Sequence, residues 1–265
     1  MLVLLPPSEG KTGAVRGAPV DVGALSLPAL APARERVLAE LIALCSGGAH
    51  GTDDVTKARE VLGLSEGLAG EVARNAAMRT APARPAGQLY TGVLYDALGL
   101  GSLSPAGKRR ARESLLVFSG LWGAVRITDR LPAYRCPAGV RLPGLGPLAG
   151  FWKEPLARAL PEAAGAGPVL DLRSSAYAAM WRPDGELARR TVTVRVLQAR
   201  LVDGVEKRSV VSHFNKATKG RVVRALLEAG PLPRTPAKLA GAVRDLGYVV
   251  EESAPGRLDI VVTEL

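Results

Sequence analysis

Apolar positions along this chain recur in two rhythms, one near 3.6 residues and one in short unbroken or alternating runs. The first predicts a helix over roughly Ala33 to Leu44, with Val37, Leu38, Leu41 and Ile42 on one stripe. In "DDVTKAREVLGLSEGLAGEVARNAAM" the outer parts keep helical spacing while the middle carries glycines, so two short helices joined by a tight turn are expected. Further helices are expected over Lys216 to Glu228, stopped by Gly230 and Pro231, and from a Thr235 cap and Pro236 to Asp245. Residues 13 to 32, rich in Gly, Pro and Ala, read as a crossing loop.

The second rhythm predicts strands. "TVTVRVLQARL" alternates and meets Asp203-Gly204, a good two-residue turn into "VEKRSVV". "GYVVEE" and "LDIVVTEL" flank Ala254-Pro255-Gly256 as a closing hairpin. The fold class that follows is α/β, or mixed α+β, with a central mixed sheet and flanking helices.

Four apolar runs share one design. "LVLL" leads into PPSEGKT, "SLLVF" into SGLWG, "PVLDL" into RSSAY, and "RSVV" into SHFNKATKG. If these strands lie parallel, one edge gathers Ser8, Lys11, Ser119, Arg173, Ser174, Ser212, Asn215 and Lys216. Carboxyl ends of strands are where open α/β sheets bind ligands, and the cations point to a phosphate or polyanion. Gly10-Lys11-Thr12 is not an ordinary phosphate loop, however. The glycine needed five positions earlier is Leu5, and Pro6 and Pro7 have no N–H to offer an anion.

Composition narrows the classes. Hydrophobic residues make up 47% of 265 residues, enough for a sizeable core, and no apolar run approaches the ~20 residues of a membrane span. A cytoplasmic protein is expected, without a membrane partner. Cys45, Cys136, His50 and His213 have neither disulfide-scaffold nor zinc spacing, so neither metal nor cofactor is expected. The formal net charge of +10 suits nucleic acid or phosphorylated ligands, although a chain rich in Ala, Gly, Pro and Arg reaches it by base composition alone.

Three clusters localise the charge. Lys108, Arg109, Arg110 and Arg112 crowd the first turns of a helix capped by Ser104-Pro105, against the helix dipole. Lys216, Lys219 and Arg224 follow a strand end. Arg126, Arg130 and Arg135 surround Asp129 and Tyr134, where an Arg126–Asp129 ion pair that merely shapes the loop is an equal reading.

Taken together, "LYTGVLYDALG", "VFSGLWGAVRITDRLPAYR", "FWKEPL", "LDLRSSAY", "SHFNKATKGRVV" and the N-terminal strand with Lys11-Thr12 resemble, in order, the YaaA family of peroxide-stress proteins. The resemblance spans nearly the whole chain. It implies a single domain over 1–265 with a helical insertion at about 33–80 and a basic cleft. It further implies DNA binding through a helix-hairpin-helix element, and a role in lowering free iron during hydrogen peroxide stress. The element corresponds to "AREVLGLSEGLAGEVARNA", where Gly63, Gly67 and Gly70 permit close approach to phosphates. Two motifs depart from the family pattern: the first loop is two residues longer, and Asn215 and Thr218 interrupt the run that ends at Lys219-Gly220.

Two functions remain open on these grounds. One is sequence-nonspecific DNA binding through phosphate contacts with Ser8, Lys11, Thr12, Ser119, Arg126, Arg135, Arg173, Ser174, Ser212, Asn215, Lys216 and Lys219. The other is an enzyme acting on a nucleotide or phosphorylated small molecule in the same cleft. There Lys11, Arg135, Arg173 and Lys216 would hold phosphate, and Glu9 or Asp129 could orient a metal ion. His213 has no evident serine or cysteine partner.

Overall fold

A computed structural model describes residues 1–47, 52–202, 205–209 and 212–262; the side chains of 52, 53, 201, 202, 205 and 212–214 lie outside that description. Eight strands form the main sheet: β1 (Leu2–Leu5), β2 (Leu115–Ser119), β3 (Gly123–Arg126), β4 (Val169–Asp171), β5 (Thr191–Val202), β6 (Val205–Ser209), β7 (Val249–Ala254) and β8 (Arg257–Val262). Their order is β7-β8-β5-β4-β1-β2-β3, with β6 paired to β5 off this path. β8, β5, β4, β1 and β2 run parallel, while β3, β6 and β7 are antiparallel to their neighbours.

This order explains the unbroken apolar runs. Every residue of β1, β2 and β4 is buried. A parallel strand covered on both faces has no polar side, so "LVLL" and "LLVFS" show no alternation. β5 and β8, farther toward the edge, keep polar positions such as Arg195 and Asp259, which form an ion pair across the ladder.

Of the fourth run, "RSVV", Arg208 and Ser209 close β6, and Val210 and Val211 lie outside the described residues. β6 runs antiparallel to β5, as the expected hairpin requires, and so does not join the parallel set. The following helix nevertheless reaches the same edge, because β5 is long. Asp171, the last residue of β4, pairs with Thr193, whereas β6 ends at Ser209 opposite Gln198, five residues farther along β5. The hairpin therefore overshoots the end of β4 by about 30 Å at Val202, and its return strand stops still about 17 Å beyond that end. The expected turn at Asp203-Gly204 lies outside the described residues, although Val202 and Val205 pair on either side of it.

The main helices are α1 (Ala31–Ser46), α2 (Thr52–Leu62), α3 (Gly70–Ala76), α4 (Val93–Leu98), α5 (Pro105–Ser114), α6 (Lys153–Ala164), α7 (Ser212–Glu228) and α8 (Pro236–Asp245). The caps read from sequence are present. Ser104 Oγ accepts from Gly107 N at 3.0 Å, and Thr235 Oγ1 accepts from Lys238 N at 3.2 Å. α2 and α3 form the expected helical pair, linked by a turn in which Gly63 takes φ +63°.

α7 begins four residues earlier than periodicity indicates and packs against α4. At Gly220 a Cβ would run into the Leu94 carbonyl oxygen and approach Ala97 Cβ at 3.0 Å, so glycine lets the two helices touch. At the far end of α7, Glu228 accepts from Ser104 N at 2.8 Å, placing a carboxylate at the positive end of α5. Arg110 donates to the Leu227 carbonyl at 2.6 Å, which assigns one member of the α5 basic cluster to capping α7. Among the described residues no helix is long and apolar enough to cross a membrane.

Candidate functional site

Beyond the carboxyl ends of β1 and β4 lies a cleft of about 710 Å³. Its walls come from the loop after β1 (Pro6 to Lys11), the segment Thr91–Tyr95, the loop Tyr134–Gly139, the chain after β4 (Leu172 to Tyr177) and the first turns of α7. Lys11, Arg135, Lys216 and Lys219 line it, with Glu9 as the carboxylate among its lining residues.

The loop after β1 is held by its own polar groups. Ser8 Oγ donates to the Gly10 carbonyl at 2.6 Å and accepts from Thr91 N at 3.1 Å, so that hydroxyl is already committed. Tyr95 Oη donates to the Pro6 carbonyl at 2.7 Å. Lys11 and Tyr90 form an antiparallel bridge, and Thr12 N donates to Leu89 O at 2.9 Å. This fixes the backbone from which the Lys11 side chain enters the cleft.

The Lys11 ammonium lies 4.5 Å from the centre of the Tyr134 ring and 5.6 Å from that of Tyr90. It donates to the Ser8 carbonyl at 2.9 Å. Burial first, and the Arg135 charge second, lower its pKa to about 8. Beneath it is a buried hydroxyl chain: Ser119 Oγ is 2.6 Å from Tyr134 Oη, which is 2.8 Å from Tyr90 Oη. Ser119 Oγ already accepts from Leu121 N and Trp122 N, so its own proton goes to Tyr134, and Tyr134 donates to Tyr90.

Arg135 reaches Glu9 Oε2 at 3.0 Å and the Glu9 carbonyl at 3.3 Å, closing one side of the cleft. Lys219 donates to the Leu172 carbonyl at 3.2 Å; burial lowers its pKa while Asp171 opposes the shift. Lys216 is exposed at the rim. Asn215 Oδ1 is buried and has no hydrogen-bond partner among the described residues.

Of the residues expected from sequence, Ser8, Lys11, Arg135, Ser174, Asn215, Lys216 and Lys219 line the cleft together. Others do not. Arg173 is buried, ion-paired to Asp171 at 2.6 Å, and stacked 4.3 Å from the Phe118 ring centre, so its guanidinium is committed to the interior. Ser119 is enclosed in the hydroxyl chain, and its end of β2 supports the site from below. A Cβ on the adjoining Gly120 would collide with the backbone of Cys136 and Pro137. Arg126 donates to the Glu113 carbonyl on the other side of the sheet edge. Thr12 is exposed and outside the cleft lining. The Ser212 side chain lies outside the described residues, as do those of His213 and Phe214.

Asp129 shapes a loop: its carboxylate accepts from Ser26 N, Ser26 Oγ and Arg126 N. Cys136 lines the cleft as a buried thiol whose pKa is pushed up to about 12, mainly by burial, which leaves it unreactive at neutral pH. Among the described residues no group of three or more His, Cys, Asp or Glu is gathered to hold a metal ion.

Two contributors escaped sequence reading. Tyr177 forms part of the wall. Asn75, fully buried on α3, holds the Arg135 peptide. Its only signal in the sequence is a polar residue three positions after Val72, on the buried face of a short helix.

The chain matches the family model described as peroxide stress protein YaaA over residues 1–254. It is 63% identical to a UPF0246 protein of Streptomyces coelicolor, with 100% of both chains covered. It is 40% identical to a UPF0246 protein of Corynebacterium efficiens over 95% of each chain, and 38% identical to one of Corynebacterium glutamicum over 96% of each.

Proposed function

Because this chain belongs to the YaaA family of peroxide stress proteins, we propose that it acts in that response by binding a phosphate-bearing ligand of nucleotide size in the strand-end cleft. The carrying observation is the convergence of Lys11, Arg135, Lys216 and Lys219 on one concave site with a single carboxylate, Glu9, among its lining residues. A cleft of about 710 Å³ is within the usual range for small-molecule sites. Its apolar walls at Pro6, Pro7, Leu94 and Leu172 suit a sugar or base, with the cations taking the phosphate.

The test is thermal stabilisation by nucleoside monophosphates, compared with the parent nucleosides. Stabilisation by the phosphorylated forms alone, reduced by Lys216→Ala, is the expected result. Equal effects of both forms would sink the phosphate reading.

DNA as the ligand is favoured by a separate observation. At Gly63, Gly67 and Gly70 a Cβ would meet nothing within 4 Å, so the α2–α3 turn presents open backbone of the kind that approaches phosphates. Through Asn75, α3 is tied to the cleft wall at Arg135. Anisotropy of labelled duplex, bubble and single-stranded DNA over a salt series separates the two readings. If DNA is the ligand, log affinity falls linearly with log salt, and Gly67→Asp weakens DNA while leaving mononucleotide binding intact.

A further inference from the structure

We infer that Lys11 is a condensing amine: its Nζ forms an imine with the carbonyl carbon of a phosphorylated aldehyde bound in the cleft. The chemistry rests on the phosphate-binding reading of the site and names the class of ligand the site would react with.

The geometry sets Lys11 apart from the other cations. A lysine that serves folding or simple anion binding is commonly matched by a carboxylate or left in water. Lys11 is neither. Glu9, the carboxylate lining the cleft, is engaged by Arg135 at 3.0 Å. The Lys11 nitrogen rests instead against two aromatic rings and the Ser8 carbonyl. Its backbone is fixed by the bridge to Tyr90, so the amine is delivered from a rigid base. Lys216 sits at the rim, and Lys219 is turned onto the Leu172 carbonyl.

An amine attacks a carbonyl only as the neutral base. Desolvation and a neighbouring cation are the two ways proteins make a lysine nucleophilic near neutral pH. Lys11 has both, from burial and from Arg135, and a pKa of about 8 gives a useful neutral fraction at physiological pH. In the reaction, the Nζ lone pair adds to the carbonyl carbon and a proton passes from nitrogen to the former carbonyl oxygen, giving a carbinolamine. That hydroxyl takes up the remaining nitrogen proton and leaves as water, the C–O bond breaking as the nitrogen electron pair forms the C=N bond. No oxidant or reductant takes part. Arg135 and Lys216 would hold the phosphate while the aldehyde faces Lys11.

The same chemistry has two sources: an open-chain sugar phosphate, or the ring-opened aldehyde of an abasic position in DNA. The experiment treats the full-length protein with ribose 5-phosphate, with ribose, or with an oligonucleotide carrying one abasic site. Each is incubated with sodium cyanoborohydride, followed by intact-mass spectrometry and peptide mapping. Thermal stabilisation by each probe is recorded without reductant.

The expected result is one adduct per chain, mapped to Lys11, absent from Lys11→Arg, and formed at least tenfold faster with ribose 5-phosphate than with ribose or else with the abasic strand. Whichever arm reacts identifies the source. Lys216→Ala should slow trapping without moving the adduct, and the rate should rise with pH to a plateau with a midpoint near 8. Should Lys11→Arg fail to fold, mapping of the wild-type adduct decides alone. Adducts scattered over several lysines overturn the inference. Stabilisation without an adduct overturns the imine and leaves the binding site standing; neither stabilisation nor adduct overturns both.

Discussion

Asn75 grips the peptide of Arg135 from both sides. Its amide nitrogen donates to the Arg135 carbonyl at 2.8 Å and its carbonyl accepts the Arg135 N–H at 2.9 Å. One fully buried side chain on α3 thus sets the position of a cation in the cleft sixty residues away. Asn75→Ala leaves two backbone groups without partners and is expected to lower stability by about 1–3 kcal/mol. It should also weaken phosphate binding, because Arg135 loses its fixed base. Urea melts and ligand titration of the same variant check both effects; unchanged affinity would show that Arg135 is positioned by Glu9 alone.

The contribution of Lys11 to stability should rise with pH between about 8 and the unfolded lysine value near 10.4. Over that window the unfolded chain binds more protons at Lys11 than the folded one, so raising the pH favours the folded state. Against this stands a fall from Cys45 and Cys136, whose thiols burial keeps protonated up to about 11 and 12. Above about 10 the tyrosines steepen that fall. Burial raises the pKa values of Tyr90, Tyr95, Tyr134 and Tyr177, so the unfolded tyrosines ionise first and pull the equilibrium toward unfolding. Lys11→Met should remove the Lys11 contribution and leave the fall from the thiols and tyrosines. Denaturant midpoints at half-unit pH steps test this.

Arg173→Met is expected to be a stability variant with no direct effect on ligand contact. It strands the buried Asp171 carboxylate, at a cost of about 3–5 kcal/mol. Adding Asp171→Leu to it should recover most of the loss. A double variant as unstable as the single one would mean that the stacking on Phe118 and Trp181, not the ion pair, is what matters.

Gly220→Ala should separate α7 from α4, because the new methyl meets the Leu94 carbonyl. Overpacking of this kind costs about 1–3 kcal/mol. Since α7 carries Asn215, Lys216 and Lys219, nucleotide affinity should fall with stability. An unchanged melting temperature would show that the helices part freely.

The strands and caps were legible because their causes are local. β1, β2 and β4 announce themselves as unbroken apolar runs, and Ser104 and Thr235 stand where orphan N–H groups need acceptors. The cations at the strand ends were legible for the same reason, but their direction was not. Lys11 stands six residues past the end of β1 and Arg173 two past the end of β4, both as cations following an apolar run. One enters the cleft and the other turns onto Phe118, a difference set by Asp171 two residues upstream and by rings distant in sequence. Asn75 could not be found from spacing, since its partner lies across the fold. The antiparallel course of β6 was legible in the alternating run and its Asp203-Gly204 turn. The shared design of the four apolar runs, by contrast, carries no arrow and grouped it with the parallel strands.

The overshooting β5–β6 hairpin acts as a ruler for the cleft. The level at which β6 stops decides where α7 starts, and α7 brings a whole wall of the cleft with it. Lengthening the return arm alone by two residues keeps every side chain on its face, because the strand repeat is two. It would also lower that wall by about 7 Å. Among proteins built on this plan, the depth of the cavity can therefore change by strand length alone while Lys11 and Arg135 stay where they are, so that ligand size and ligand chemistry are free to evolve separately.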